Sequence, residues 1–129
     1  VQLSAEEIDE ILLPLGPVLA READAILDLR DLLLRQGHPG KCVRCFFRLF
    51  EAAGSDRLAS LHLLQSWLEK NVEISIRRNG EELETLPFMM RADEDLQKFC
   101  LRAIDHVRMD RSYQGGPLLL AFRYKPRAA

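Results

Sequence analysis

One stretch of this chain has the residue types and spacing of a chemical motif, Cys42-Val43-Arg44-Cys45. In a thiol oxidoreductase the first thiolate of such a CxxC sits at a helix start, where the backbone dipoles lower its pKa. A helix is expected to begin nearby, so the position suits. The neighbourhood does not, because His38-Pro39-Gly40-Lys41 precedes it in place of the strand of a thioredoxin-like unit. The same cysteines could serve zinc, with His38 as a third donor and Cys100 or His106 as a fourth. A structural zinc site usually brings two close pairs of ligands, and the chain offers one. Against both readings, free cysteine commonly behaves as a small apolar side chain buried in a core. Burial on a Phe-rich helix is the expectation, with no metal and no cofactor. A thiol or zinc-binding protein centred on Cys42 and Cys45 is the alternative.

Catalysis by other groups has less to work with. Carboxylates cluster at Glu6, Glu7, Asp9 and Glu10, at Glu81, Glu82 and Glu84, and at Asp93, Glu94 and Asp95. Helix N-termini attract the first and third sets, and the second is a hairpin edge. Nothing pairs a nucleophile with a base and an orienting acid, and no glycine-rich phosphate loop is present. The chain therefore reads as a non-enzyme.

What remains is basic. Lys41, Arg44 and Arg48 share a helical strip, Arg77 and Arg78 flank a hairpin tip, and Arg123, Lys125 and Arg127 crowd the C-terminus. A solvated face and a loose tail are the ordinary readings of such groups. As a site, Lys41, Arg44, Arg48, Arg77 and Arg78 are expected to receive a protein partner, and an acidic segment suits them. A nucleic-acid-binding regulator is a further alternative. A net charge of −2 and the lack of aromatics interleaved with the cations speak against it.

These residues must be positioned by a chain of 129 residues, the length of one domain, with 47% hydrophobic and 29% charged residues as in soluble globular proteins. Residues 1–37 hold eight acids and three bases, a balance of −5; residues 38–129 hold twelve and fifteen, a balance of +3. Such halves suit internal pairing or a homo-oligomer. No apolar run approaches the roughly 18 residues of a membrane span, so no membrane partner is expected. Three cysteines, an odd number, do not make a secreted disulfide framework, and a reducing, cytoplasmic setting is the expectation. A start at Val1 in place of Met is what a processed product or an excised domain would have.

The fold class expected is α+β: four N-terminal helices, then a β-hairpin, a helix and a third strand that form a small sheet packed on the helices. Ser4-Ala5-Glu6-Glu7 is a capping box, with Leu3 and Ile8 as its staple, for a helix ending near Leu13 before Pro14. A long second helix is predicted from Val18 to about Gln36, with Leu19, Ile26, Leu29 and Leu33 inward, stopped by Gly37, Pro39 and Gly40. A third spans about Lys41 to Ala53, and Ser55 or Asp56 caps a fourth reaching Lys70. Val72, Ile74 and Ile76 then alternate with polar residues up to Asn79-Gly80, the pair favoured in a type I′ turn. That turn sets Arg78 opposite Glu81, Arg77 opposite Glu82 and Ile76 opposite Leu83, with the charged pairs holding register. Asp93 caps a helix to about Met109, and Leu118 to Tyr124 completes the sheet.

In its helix, strand, turn, strand, helix, strand order, the stretch from Ser55 to Tyr124 resembles the N-terminal α/β domain of the TRADD adaptor family. The stretches that carry the likeness are VEISIRRNGEELETLPF, LQKFCLRAI and PLLLAFRY. Separately, LRDLLLRQGHPG resembles the helix-and-turn phrases of caspase-recruitment modules. Both resemblances imply a non-catalytic adaptor or regulatory domain that binds other proteins in apoptotic or innate immune signalling.

Overall fold

The computed structural model describes residues 3–56 and 58–126, so Arg127 lies outside the described residues. Helix α1 (Ala5–Leu12) starts as its sequence dictates. Ser4 Oγ accepts from the Glu7 N–H, and the Glu7 carboxylate accepts in return from the Ser4 N–H, each at 3.1 Å. The helix predicted from Val18 is instead three pieces: a single turn, α2 (Leu15–Val18), a 3-10 turn (Ala20–Glu22), and α3 (Ala23–Arg35). Leu15 and Leu19 are both buried, and Leu19 takes a non-helical backbone (φ −115°, ψ 43°) between two of the pieces. The core takes those two leucines at the cost of helical continuity.

At the end of α3 the left-handed residue is Gln36 (φ 48°), and the Gly37 N–H reaches back to the Leu32 carbonyl at 2.7 Å. Gly37 serves space rather than φ, since a Cβ there would stand 2.7 Å from Leu32 Cδ2. Helix α4 (Pro39–Ala53) begins two residues earlier than its sequence suggests. Pro39 stands at the first position, where a missing N–H costs nothing, and His38 caps it by accepting from the Gly40 N–H at 3.1 Å. Helix α5 (Ala59–Asn71) has neither Ser55 nor Asp56 as its cap. Leu58 holds that place and makes no side-chain hydrogen bond.

Strand β1 (Val72–Arg78) follows α5 directly and turns through Asn79 (φ 52°) and Gly80 (φ 78°) into β2 (Glu81–Pro87). Arg78 faces Glu81 and Arg77 faces Glu82, as the turn demands. The register then shifts, and Ile76 meets Glu84 rather than Leu83. The extra residue, Leu83, is a bulge that packs partly buried against the core. Helix α6 (Leu96–Arg108) is capped by Asp95, whose carboxylate accepts from the Lys98 N–H at 2.8 Å, and not by Asp93. Strand β3 (Leu119–Tyr124) returns antiparallel to β1, so the sheet order is β2-β1-β3 and the fold is α+β.

Val72, Ile74 and Ile76 of the central strand are buried on the face where Phe99 of α6 meets Phe47, Phe88 and Phe122. The opposite face of β1 carries Glu73, Ser75 and Arg77. There Arg123 of β3 spans the sheet, 2.7 Å from both Glu73 and Glu82 and 3.0 Å from Thr85 Oγ1. Ser75, buried in its midst, donates to Glu82 at 2.7 Å.

Glu94, expected near the α6 dipole, is buried instead. It takes two hydrogen bonds from Arg102, at 2.6 and 2.8 Å, and a third from the Arg91 N–H at 2.8 Å. Arg102→Met keeps the apolar stem and strands that carboxylate. Denaturant unfolding at neutral pH should show a loss of about 2–4 kcal/mol, partly restored by adding Glu94→Gln. Arg102 holds the Glu94 carboxyl below its usual range, so the pair stabilises at neutral pH and its contribution disappears as pH falls through the lowered pKa. The stabilities of wild type and Arg102→Met should therefore converge in acid. At the hairpin tip, Gly80→Ala must hold a Cβ at φ 78° and should cost about 1–2 kcal/mol in the same assay.

Candidate functional site

Helices α3 and α4 pack side by side and leave between them an open groove of about 470 Å³. Leu32 and Cys45 line it together with charges of both signs. Four cations, Arg35, Lys41, Arg44 and Arg48, stand against two carboxylates, Asp28 and Asp31. Helical spacing explains the arrangement. Lys41, Arg44 and Arg48 recur every three to four residues on the exposed side of α4, and Asp28, Asp31 and Arg35 do the same on α3.

These cations are not equivalent. The Arg48 guanidinium bonds Glu22 at 2.5 Å and Asp24 at 3.0 Å, so it pins α4 to the entry of α3. Its presence holds the Asp24 carboxyl below the usual carboxylate range. Arg35 pairs with Asp31 one turn back at 2.6 Å. Lys41 and Arg44 make no ion pair among the described residues, and both are exposed. Asp28, on the opposite wall, is likewise exposed and unpaired. The sequence pointed to the basic strip and missed the acidic wall facing it, which the spacing of Asp28 and Asp31 on the polar side of their helix could have disclosed.

Arg77 and Arg78 lie apart, at the hairpin tip, and do not line this groove. Arg77 Nε is 3.4 Å from Ser75 Oγ. Arg78 donates to the Gly115 carbonyl at 3.3 Å and lies over the Tyr113 ring at 6.0 Å, tying the hairpin to the loop before β3. Arg123 and Lys125 form no loose tail either. Arg123 is the hub of the sheet's polar face, and the Lys125 N–H extends the strand pairing to the Asn71 carbonyl at 2.8 Å. Among the described residues, Arg77, Arg78, Arg123 and Lys125 are thus engaged on separate parts of the fold, rather than gathered into one phosphate-binding surface.

Cys42 is a core residue, while Cys45 and Cys100 are half-buried against the core. Cys42 is fully buried beside Tyr124, its sulfur 3.5 Å from the hydroxyl, which donates to the Gly37 carbonyl at 2.9 Å. Burial pushes the thiols of Cys42, Cys45 and Cys100 up in pKa, the reverse of what a nucleophilic thiolate needs, and it pushes up the Tyr124 hydroxyl as well. His38 spends Nδ1 on the α4 cap, and His106 lies 3.2 Å from Glu84. Among the described residues no group of three His, Cys, Asp or Glu side chains is placed to hold a metal ion. No helix among them is long and apolar enough to cross a membrane. Two smaller hollows carry no signal in the sequence. One, of about 300 Å³, lies under Leu86 and Met89 against Ala103; the other, of about 280 Å³, lies between Phe50 and His62.

A disulfide-exchange reagent at neutral pH should label Cys45 and Cys100 slowly and faster as pH rises, because the raised pKa leaves little thiolate. Cys42 should react only at the rate of unfolding. Rapid labelling of a CxxC thiol at neutral pH would restore the redox reading. No family model, curated protein or solved structure matches the chain.

Proposed function

We propose that this chain is a non-catalytic adaptor or regulatory domain that works in the cytoplasm by binding a protein partner. Apoptotic or innate immune signalling is the setting that the resemblance of residues 55–124 implies. The observation that carries the reading is the α3–α4 groove, where Lys41 and Arg44 have no ion pair among the described residues while Arg35 and Arg48 are engaged. An unpaired cation on a helix surface can take a charge-assisted hydrogen bond from an incoming carboxylate without first giving up an ion pair of its own. The partner segment is therefore acidic along the side that meets α4. It also carries an apolar residue for the part of the groove where Leu32 and Cys45 lie, and keeps its acids away from Asp28. Raised thiol pKa values and the lack of a metal-binding cluster among the described residues support binding over chemistry at Cys42 and Cys45.

Selection from a displayed library of short helical peptides, enriched in Glu, Asp and Leu, tests this reading while the partner is unidentified. Peptides enriched on the wild-type protein should lose most of their binding to Lys41→Glu/Arg44→Glu, and raised salt should weaken them. Arg77→Glu/Arg78→Glu should leave them unchanged, because those residues lie outside the groove. If the selected peptides bind the Lys41/Arg44 double variant as well as wild type, the groove is not the site.

A further inference from the structure

The sheet has two edges, and the chain treats them differently. Strand β2 carries Glu81, Glu82 and Glu84 among its seven residues, is bulged at Leu83 and ends at Pro87. Acidic side chains, a bulge and a proline are the devices by which an edge strand is kept from pairing with another chain. Strand β3 has none of these. It makes six consecutive regular pairs with β1, contains no proline, and bears one charged side chain, Arg123. That charge is already neutralised by Glu73 and Glu82. Among the described residues, no loop or side chain supplies a hydrogen bond to the backbone groups of β3 that point away from β1. Leu119 is 69% exposed, and Leu120, Phe122 and Tyr124 are only half-buried. The neighbouring Val72, Ile74 and Ile76 on β1 are 0%, 2% and 0% exposed.

We propose that β3 pairs antiparallel with β3 of a second copy about a two-fold axis at Ala121, giving one continuous sheet in the order β2-β1-β3-β3-β1-β2. A second copy fits because the strand is complementary to itself. A two-fold axis perpendicular to the sheet keeps each side chain on its own face, so Leu120 of one copy meets Phe122 of the other among the apolar residues. On the opposite face Leu119 lies against the stem of Arg123, and Ala121 meets its own counterpart without steric demand. No like charges come opposite one another. The same operation on β2 would gather its three acids on both sides of the new seam. The arrangement is isologous and closes at two copies, so it does not propagate into fibres. Five residues a side, Leu119 to Arg123, make a small interface, so the dimer dissociates on dilution. It rests on β3 alone and is independent of the α3–α4 groove.

Light scattering across a dilution series of the whole chain should show a mass approaching twice 14.8 kDa at the concentrated end and falling toward one copy on dilution. Ala121→Lys places two ammonium groups opposite each other at the axis. It should shift the midpoint of that series severalfold toward higher concentration while leaving the far-ultraviolet spectrum unchanged. Ala121→Cys sets two thiols on residues directly opposite, within the reach of a disulfide, and should cross-link with oxidised glutathione as electron acceptor. Leu119→Cys, whose counterpart lies about 13 Å along the strand, should cross-link no faster than wild type with its native thiols. A mass of one copy at every concentration overturns the proposal. So does a dimer that Ala121→Lys leaves intact and Ala121→Cys fails to cross-link.

Discussion

Phe99 is where three distant parts of the chain meet. Its ring is 2% exposed and lies 5.7 Å from Phe47 of α4, 5.0 Å from Phe88 after β2 and 6.2 Å from Phe122 of β3. Each aromatic contact is worth about 0.5–1.5 kcal/mol beyond the area it buries. The consequence for topology is larger than that sum. Strand β2 ends at one edge of the sheet, and β3 must arrive at the other. Helix α6 spans that distance, and Phe99 seats it on Phe88 at one side and Phe122 at the other. Phe47 carries the same contact into α4, where Phe46 and Phe50 extend it toward the far end of the helix. The position of the candidate groove follows, since α4 supplies one of its walls.

Around this core the polar shell is organised by arginines that bridge elements rather than by isolated pairs. Arg30 joins α3 to Asp9 of α1 at 2.7 Å, Arg48 joins α4 to the entry of α3, Arg102 holds Glu94 and the Met89 carbonyl, and Arg123 spans all three strands. A planar guanidinium suits this role because it presents several donors in fixed directions. Exposed ion pairs contribute little stability, so Arg30 and Arg48 orient their helices more than they hold them. Arg102 differs because its partner is buried, and removing the cation leaves a charge without solvent.

The sequence discloses those parts of the fold that depend on neighbours along the chain. The capping box at Ser4 and Glu7, the Asn79-Gly80 turn and the alternation of Val72, Ile74 and Ile76 are all set within a few residues, and each stands where it is expected. What fails depends on packing and pairing that the local pattern does not encode. Val18 looks like the start of a long helix because its neighbours favour one, yet burial of Leu15 and Leu19 breaks the chain there. Asp93 looks like a cap as good as Asp95, and only Arg102, two turns into the helix, explains why Glu94 is drawn inward. Simple counting sets Leu83 against Ile76, and counting has no means of seeing a bulge. The groove is half-visible for the same reason. Lys41, Arg44 and Arg48 share a strip by local periodicity, whereas the pairing that removes Arg48 from it comes from Glu22 and Asp24, more than twenty residues away.

The unequal halves of the chain, −5 and +3, suggest attraction between copies or between ends. Part of that imbalance is settled inside the fold. Asp9 pairs with Arg30 and Asp31 with Arg35, both within the acidic half, while Glu22 and Asp24 pair across the boundary with Arg48. The basic half spends Arg102 on Glu94 and Arg123 on Glu73 and Glu82. Pairs within one half leave its net charge unchanged, so it is the Arg48 bridge that offsets part of the imbalance, and association driven by the remaining field would be screened within about 8–10 Å at ordinary salt. Local contrasts survive, and the sharpest of those at the candidate site has Asp28 on one wall of the groove and Lys41 and Arg44 on the other. A contrast of that kind selects a segment whose charges alternate in the right order along a helix, which net charge alone cannot do.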